Sequence, residues 1–181
     1  MNMTWFIILG IIILIAVIVI AMYNKLVKAR LNVKNSWSQV EVQLQNRFDL
    51  IPNLTEIVRE YAKHESSVFE KIAKLRTSWA DTTATDEKLK IGTKAEDTLK
   101  AIMAVAESYP ELKANENYIM LQNSLSNTES KLAYARQFYN DSVTIYNTKI
   151  ALFPFNIIAK LFGFEEERLF EATSNEAGKI V

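Results

Sequence analysis

Residues 5–22, WFIILGIIILIAVIVIAM, form a run of 18 residues without a charged side chain. A helix rising 1.5 Å per residue carries such a run through roughly 27 Å, close to the hydrocarbon thickness of a bilayer. Ile, Leu and Val occur all round it, so a water-soluble fold would have to bury every face at once. The run is therefore read as an N-terminal transmembrane anchor spanning residues 1–23. A cleaved secretory signal wants a basic start and small residues at the cut, whereas Met1-Asn2-Met3-Thr4 is uncharged and Ala21-Met22-Tyr23 is a poor cleavage site. Retention of the anchor is expected. Lys25, Lys28, Arg30 and Lys34 follow the span and no Lys or Arg precedes it. Flanking cations stay in the cytoplasm, which predicts a single pass with the remainder of the chain on the cytoplasmic side. The same four side chains are candidate contacts for lipid headgroups, worth about 1 kcal/mol each near an anionic surface.

Beyond the anchor the chain reads as helix after helix. Gly and Pro number four and three, too few to punctuate a sheet. Leu26, Val33, Trp37, Val40, Leu44, Phe48 and Ile51 recur at helical spacing, so the anchor is expected to run straight into a packed helix. Pro52 removes one backbone donor, which predicts a turn or sharp kink at residues 49–53. A second stripe, Leu54, Val58, Tyr61, Glu65, Val68, Ile72, Leu75 and Trp79, alternates four and three like a coiled-coil seam. The polar stretch 81–86 reads as a loop. A third helix carries Ala95, Leu99, Ile102 and Ala106 and stops at Tyr109-Pro110. The fourth and longest runs from Glu116 to Ala151. Residues 153–164 are densely apolar, with Gly163 placed to cap a helix; they could pack back, lie in the lipid interface or meet another protomer. Residues 171–181 are polar and expected to fray. Stripes of this kind are buried only against one another, so the fold class is all-α: an N-terminal transmembrane helix continuing into an elongated antiparallel bundle of about four long helices over residues 24–170.

Charge and motifs narrow the function classes. Lys plus Arg equals Asp plus Glu at 21 each, which leaves no field to gather nucleic acid. With no cysteine, thiol catalysis and Cys-ligated metals are excluded. No phosphate-binding glycine loop, nucleophile elbow or metal-ligand cluster is found, so no catalytic, cofactor-binding or metal residues are assigned and no small-molecule substrate is identified. Arg47 flanks Phe48 on the core side, Glu65 lies in the second seam, and Glu129 and Arg136 lie seven apart beside the fourth. With Gln43, Asn53 and Asn140 they make a candidate buried polar network that fixes helix register, because a charge removed from water needs a partner. A ligand or partner cleft, or a metal-dependent site using His64, Glu65 and Glu129, are the alternatives for the same residues. Di-metal bundles use Glu-x-x-His pairs, however, whereas Glu60 and the one histidine, His64, are four apart. The aromatics Trp37, Trp79, Tyr118, Phe138, Tyr139 and Tyr146 are expected to fill the core.

Several stretches resemble the LemA family of bacterial membrane proteins. They are Tyr23-Asn24-Lys25-Leu26-Val27, Trp37, Val42-Gln43-Leu44 leading to Arg47, and Asp49-Leu50-Ile51-Pro52-Asn53-Leu54. The likeness continues through Tyr61-Ala62, His64-Glu65, Tyr109-Pro110, Leu112-Lys113-Ala114, Glu129, Arg136, Tyr139-Asn140, Val143, Tyr146-Asn147 and Phe153-Pro154, in order over most of the chain. The resemblance implies one anchor, a helical domain without established enzymatic activity, and for some relatives a link to membrane organelle formation or envelope stress. Gln45 and Asn46 stand where the family often has a basic pair, and Glu41 where it often has Asp. The resulting expectation is a non-enzymatic scaffold or interaction protein of the bacterial inner membrane. Its partners would be membrane lipid and either copies of itself or other membrane proteins, and it would organise or remodel the membrane. An adaptor for a membrane protease or signalling protein, and a metal-dependent enzyme, are the alternative readings.

Overall fold

The computed structural model describes residues 3–63, 66–82 and 85–170. Among the described residues there are six helices and no strand: α1 (Met3–Tyr61), α2 (Ser66–Asp81), α3 (Thr85–Glu107), α4 (Pro110–Lys113), α5 (Glu116–Ala151) and α6 (Phe155–Phe162). Four are long, at 59, 16, 23 and 36 residues for α1, α2, α3 and α5. The fold is an all-α helical bundle. His64, Glu65, the centre of the expected 81–86 loop and the tail 171–181 lie outside the described residues.

The apolar run opens α1, and its large side chains from Trp5 to Ile20 stay exposed. From Leu26 onward the same helix buries a stripe, with Leu26, Ala29, Val33, Val40, Leu44, Phe48 and Ile51 all inside and Trp37 half-buried. The expected turn at residues 49–53 is corrected: α1 passes through Pro52 and continues to Tyr61. A proline inside a helix costs about 3 kcal/mol, but Ile51, Leu54, Val58 and Ala62 are buried around it at about 1.5–3 kcal/mol for each large side chain. Packing outweighs the lost ladder bond. The Thr55 hydroxyl also donates to the Ile51 carbonyl at 2.7 Å.

The true break follows Tyr61, within the stretch expected to be one helix up to Trp79. Its cause is tertiary. Phe48 and Trp79 stack with ring centroids 4.4 Å apart, whereas 31 further residues of straight helix would carry Trp79 roughly 46 Å away. The chain must turn back between them.

The chain packs as two compact units, and α1 and α5 each contribute a segment to both. One unit takes residues 1–39 and 136–170. Its core joins Leu26, Ala29 and Val33 of α1 to Tyr139, Val143, Tyr146 and Ile150 of α5 and to Ile158 and Ala159 of α6. Gly163 ends α6 in the left-handed region at φ 69°, so that the Phe164 amide bonds the Ala159 carbonyl at 2.9 Å. The other unit takes residues 40–135, where α2 packs on α3 and α3 on α4. Asn115 caps α5 by accepting the Tyr118 amide at 3.1 Å, and its own amide donates to the Tyr61 hydroxyl at 3.2 Å. The core role expected of Phe138 is corrected: at 53% exposure it faces outward, one residue off the Ala135, Tyr139, Val143 and Tyr146 stripe.

Candidate functional site

In the unit of residues 40–135, the largest fully buried side chain is that of Arg47. Its guanidinium donates to the Gly92 carbonyl of α3 at 3.1 Å and forms an ion pair with Glu129 of α5. One arginine thus joins three helices. Gly92 makes the approach possible, since a Cβ there would meet Leu44 Cδ2 at 2.9 Å. Arg47 Nε has no acceptor among the described residues. Gln43 is half-buried and accepts weakly from Asn46 at 3.4 Å, while Asn53 is exposed, so neither is brought to the Arg47–Glu129 pair.

The same unit holds a groove of about 620 Å³ lined by the stacked rings of Phe48 and Trp79 and by Asp49, Asn53, Arg76 and Lys88. The Trp79 indole donates to Gln45 at 2.9 Å, Gln45 donates to Asp49 at 2.8 Å, and Lys88 pairs with Glu41 while lying 5.3 Å from the Trp79 ring centre. Gln45, Asp49 and Lys88 are thereby engaged. Sequence reasoning did not single out Lys88, Gln45 or Arg76 for this place, because only the return of α2 and α3 onto α1 assembles them.

In the unit of residues 1–39 and 136–170, a different polar system holds residues 164–170 along α5. Asn140 grips Phe170 by both backbone groups, at 2.8 and 3.1 Å, and Asn147 grips Glu167 in the same manner at 3.0 and 2.8 Å. Tyr139 and Tyr146 donate to the carbonyls of Arg168 and Glu165 at 2.8 and 2.9 Å. Arg136 lies over the Phe170 ring at 4.4 Å. A segment without secondary structure needs its amides and carbonyls satisfied by side chains, and two Tyr-Asn pairs seven residues apart supply them. That repeated pair was the available sequence signal. Burial pushes the Tyr146 phenol above its ordinary value; Arg30 opposes the shift, and Glu167 and Glu165 reinforce it.

The candidate polar residues therefore fall into two groups: Arg47 with Glu129 in one unit, Arg136 and Asn140 in the other. Glu65 and His64 are outside the described residues. Among the described residues no three His, Cys, Asp or Glu are grouped as metal ligands. Lys25, Lys28, Arg30 and Lys34 are exposed along α1, with Arg30 lying 3.7 Å from Glu167.

A comparison with protein families matches the LemA family over residues 36–181. Among curated proteins, the magnetosome protein MamQ 2 of Paramagnetospirillum magneticum is 25% identical over 175 residues, covering 82% of this chain and 64% of its own length. The magnetosome protein MamQ of Magnetospirillum gryphiswaldense is 24% identical, with the same coverage. Protein LemA of Metamycoplasma hominis is 23% identical over 155 residues, covering 84% of this chain and 70% of its own length. The chain thus spans about 64% of the length of the magnetosome relatives. The family match over most of the residues, the all-α bundle, and an exposed apolar helix long enough to cross a bilayer agree, and the chain belongs to the LemA family as a membrane-associated member.

Proposed function

We propose that this protein is a non-enzymatic scaffold anchored in the bacterial inner membrane by the first part of α1, with its bundle on the cytoplasmic side. One observation carries the reading: α1 holds both the exposed apolar run and, without interruption, the buried stripe of the bundle. A tether that only localised an enzyme would tolerate a flexible joint. Here the joint is helix, so a load on the bundle is transmitted to the membrane span. The scaffold assembles with copies of itself or with other membrane proteins, and contacts lipid headgroups through Lys25, Lys28, Arg30 and Lys34. Magnetosome proteins among the relatives support a role in organising membranes.

The test is assembly of the full chain in its own membrane. Single cysteines on exposed bundle positions of this cysteine-free chain, crosslinked in cells, should give discrete higher species. A strictly monomeric protein with no crosslinked partner at any position would end the scaffold reading. A reporter at Val181 that is active only after export would overturn the assigned side.

A further inference from the structure

Among the described residues outside the anchor, a cluster of exposed apolar side chains lies at the turn from α5 into α6. Ile158 and Ala159 are buried, yet Leu161 is 71% exposed, Ile157 56% and Phe153, just upstream, 78%. Ile157 and Leu161 are four apart and so share one face of α6. The one charge on the helix is Lys160. A helix apolar on both its inner and outer sides is out of place in water.

What identifies the occupant of the outer face is its level along α1. The Phe162 and Phe164 rings pack on Tyr23, with centroids 4.9 and 5.7 Å away. Tyr23 is the first residue after the apolar run, and so marks the depth at which the run leaves hydrocarbon. Tyrosine is the residue type that settles at that boundary. Further along α1, Lys25 and Lys28 face Lys149 of α5 across a groove of about 220 Å³ whose lining includes no carboxylate. Moving away from the span, the order is apolar run, aromatic cluster with the apolar face of α6, then cations. A bilayer presents the complementary order of acyl chain, interface and phosphate.

We propose that residues 153–162 form an interfacial foot: α6 lies in the membrane surface beside the anchor, with Ile157 and Leu161 in the headgroup–acyl boundary of an anionic phospholipid bilayer. The inference rests on the reading of the α1 run as a membrane span. The foot gives the protein a second attachment to the same leaflet, and this fixes the rotation of α1 about its axis, which a lone span leaves free.

Nitroxide labels on single cysteines at Ile157, Leu161, Gln137 and Ile13, in the full chain reconstituted into phosphatidylcholine–phosphatidylglycerol vesicles, test it by collision with oxygen and with a water-soluble nickel chelate. Ile13 reports the anchor, and the exposed Gln137 reports water. The expected result places 157 and 161 roughly 5–10 Å below the phosphates, with chelate collision several-fold lower than at 137. If 157 and 161 match 137 while 13 lies deep, the foot is refuted and the anchor stands. Labels at 157 and 161 shielded from both reagents would mean protein covers the face, which also refutes the foot. A water-exposed label at 13 removes the anchor reading, and the foot with it.

Discussion

Replacing Glu129 with alanine strands a guanidinium that the fold has already removed from water. Arg47 is 0% exposed and Glu129 37%. Without the carboxylate, Arg47 keeps one bond, to the Gly92 carbonyl at 3.1 Å. Breaking a buried pair costs about 3–5 kcal/mol. The exposed side of Glu129 admits water to the vacated space, which lowers the expected cost to about 2–4 kcal/mol. Arg47→Met removes the charge and leaves Glu129 free to turn to solvent, so it should cost less, about 1–2 kcal/mol, and the double variant should resemble Arg47→Met alone. The coupling between the sites then equals the Glu129→Ala cost itself, about 2–4 kcal/mol. Unfolding of the full chain in detergent, followed by the fluorescence of Trp79 stacked on Phe48 in the same unit, should show the Glu129→Ala midpoint falling by roughly 6–12 °C for a loss near 3 kcal/mol. A double variant less stable than Glu129→Ala, or a Glu129→Ala change within about 0.5 kcal/mol of the parent, would refute the claim that the pair, rather than apolar packing, governs this site.

Gly92→Ala should destabilise by about 1–2 kcal/mol although alanine favours helix by about 1 kcal/mol, because its Cβ would strike the fully buried Leu44 at 2.9 Å; thermal unfolding decides the sign. Tyr146→Phe should cost about 1 kcal/mol at neutral pH through the lost bond to the Glu165 carbonyl. The raised phenol value in the native state means its stabilisation is whole below the usual value of about 10 and is lost as pH rises through the native value, so the variant should lose less stability than the parent in alkaline unfolding scans. Asn147→Ala leaves the Glu167 amide and carbonyl without their side-chain partners, and limited proteolysis should cut residues 164–170 faster while the bundle stays helical. Gly163→Ala should weaken the end of α6 by about 1–2 kcal/mol, since its φ of 69° disfavours a Cβ; hydrogen exchange at the Phe164 amide reports it.

The sequence by itself determined the parts of this protein that depend on local periodicity. The apolar run, the stripe from Leu26 to Ile51, the α5 bounds at Glu116 and Ala151, and the Gly163 cap were all legible, because helix repeat, bilayer thickness and glycine's freedom at positive φ act over a few residues at a time. That Pro52 does not end the helix was beyond local reasoning: its local cost is real, but Ile51, Leu54 and Val58 bury around it, and burial is a tertiary quantity. The turn after Tyr61 has no glycine or proline to announce it and is set by the return of Trp79 to Phe48. The candidate polar residues were recognisable as charges on apolar stripes, yet which of them meet was not. Arg47 found Glu129 82 positions away and the Gly92 carbonyl, while Arg136 and Asn140 went to Phe170 instead. Pairing across helices depends on their relative rotation and rise, which no single stripe encodes; only the packed bundle decided it.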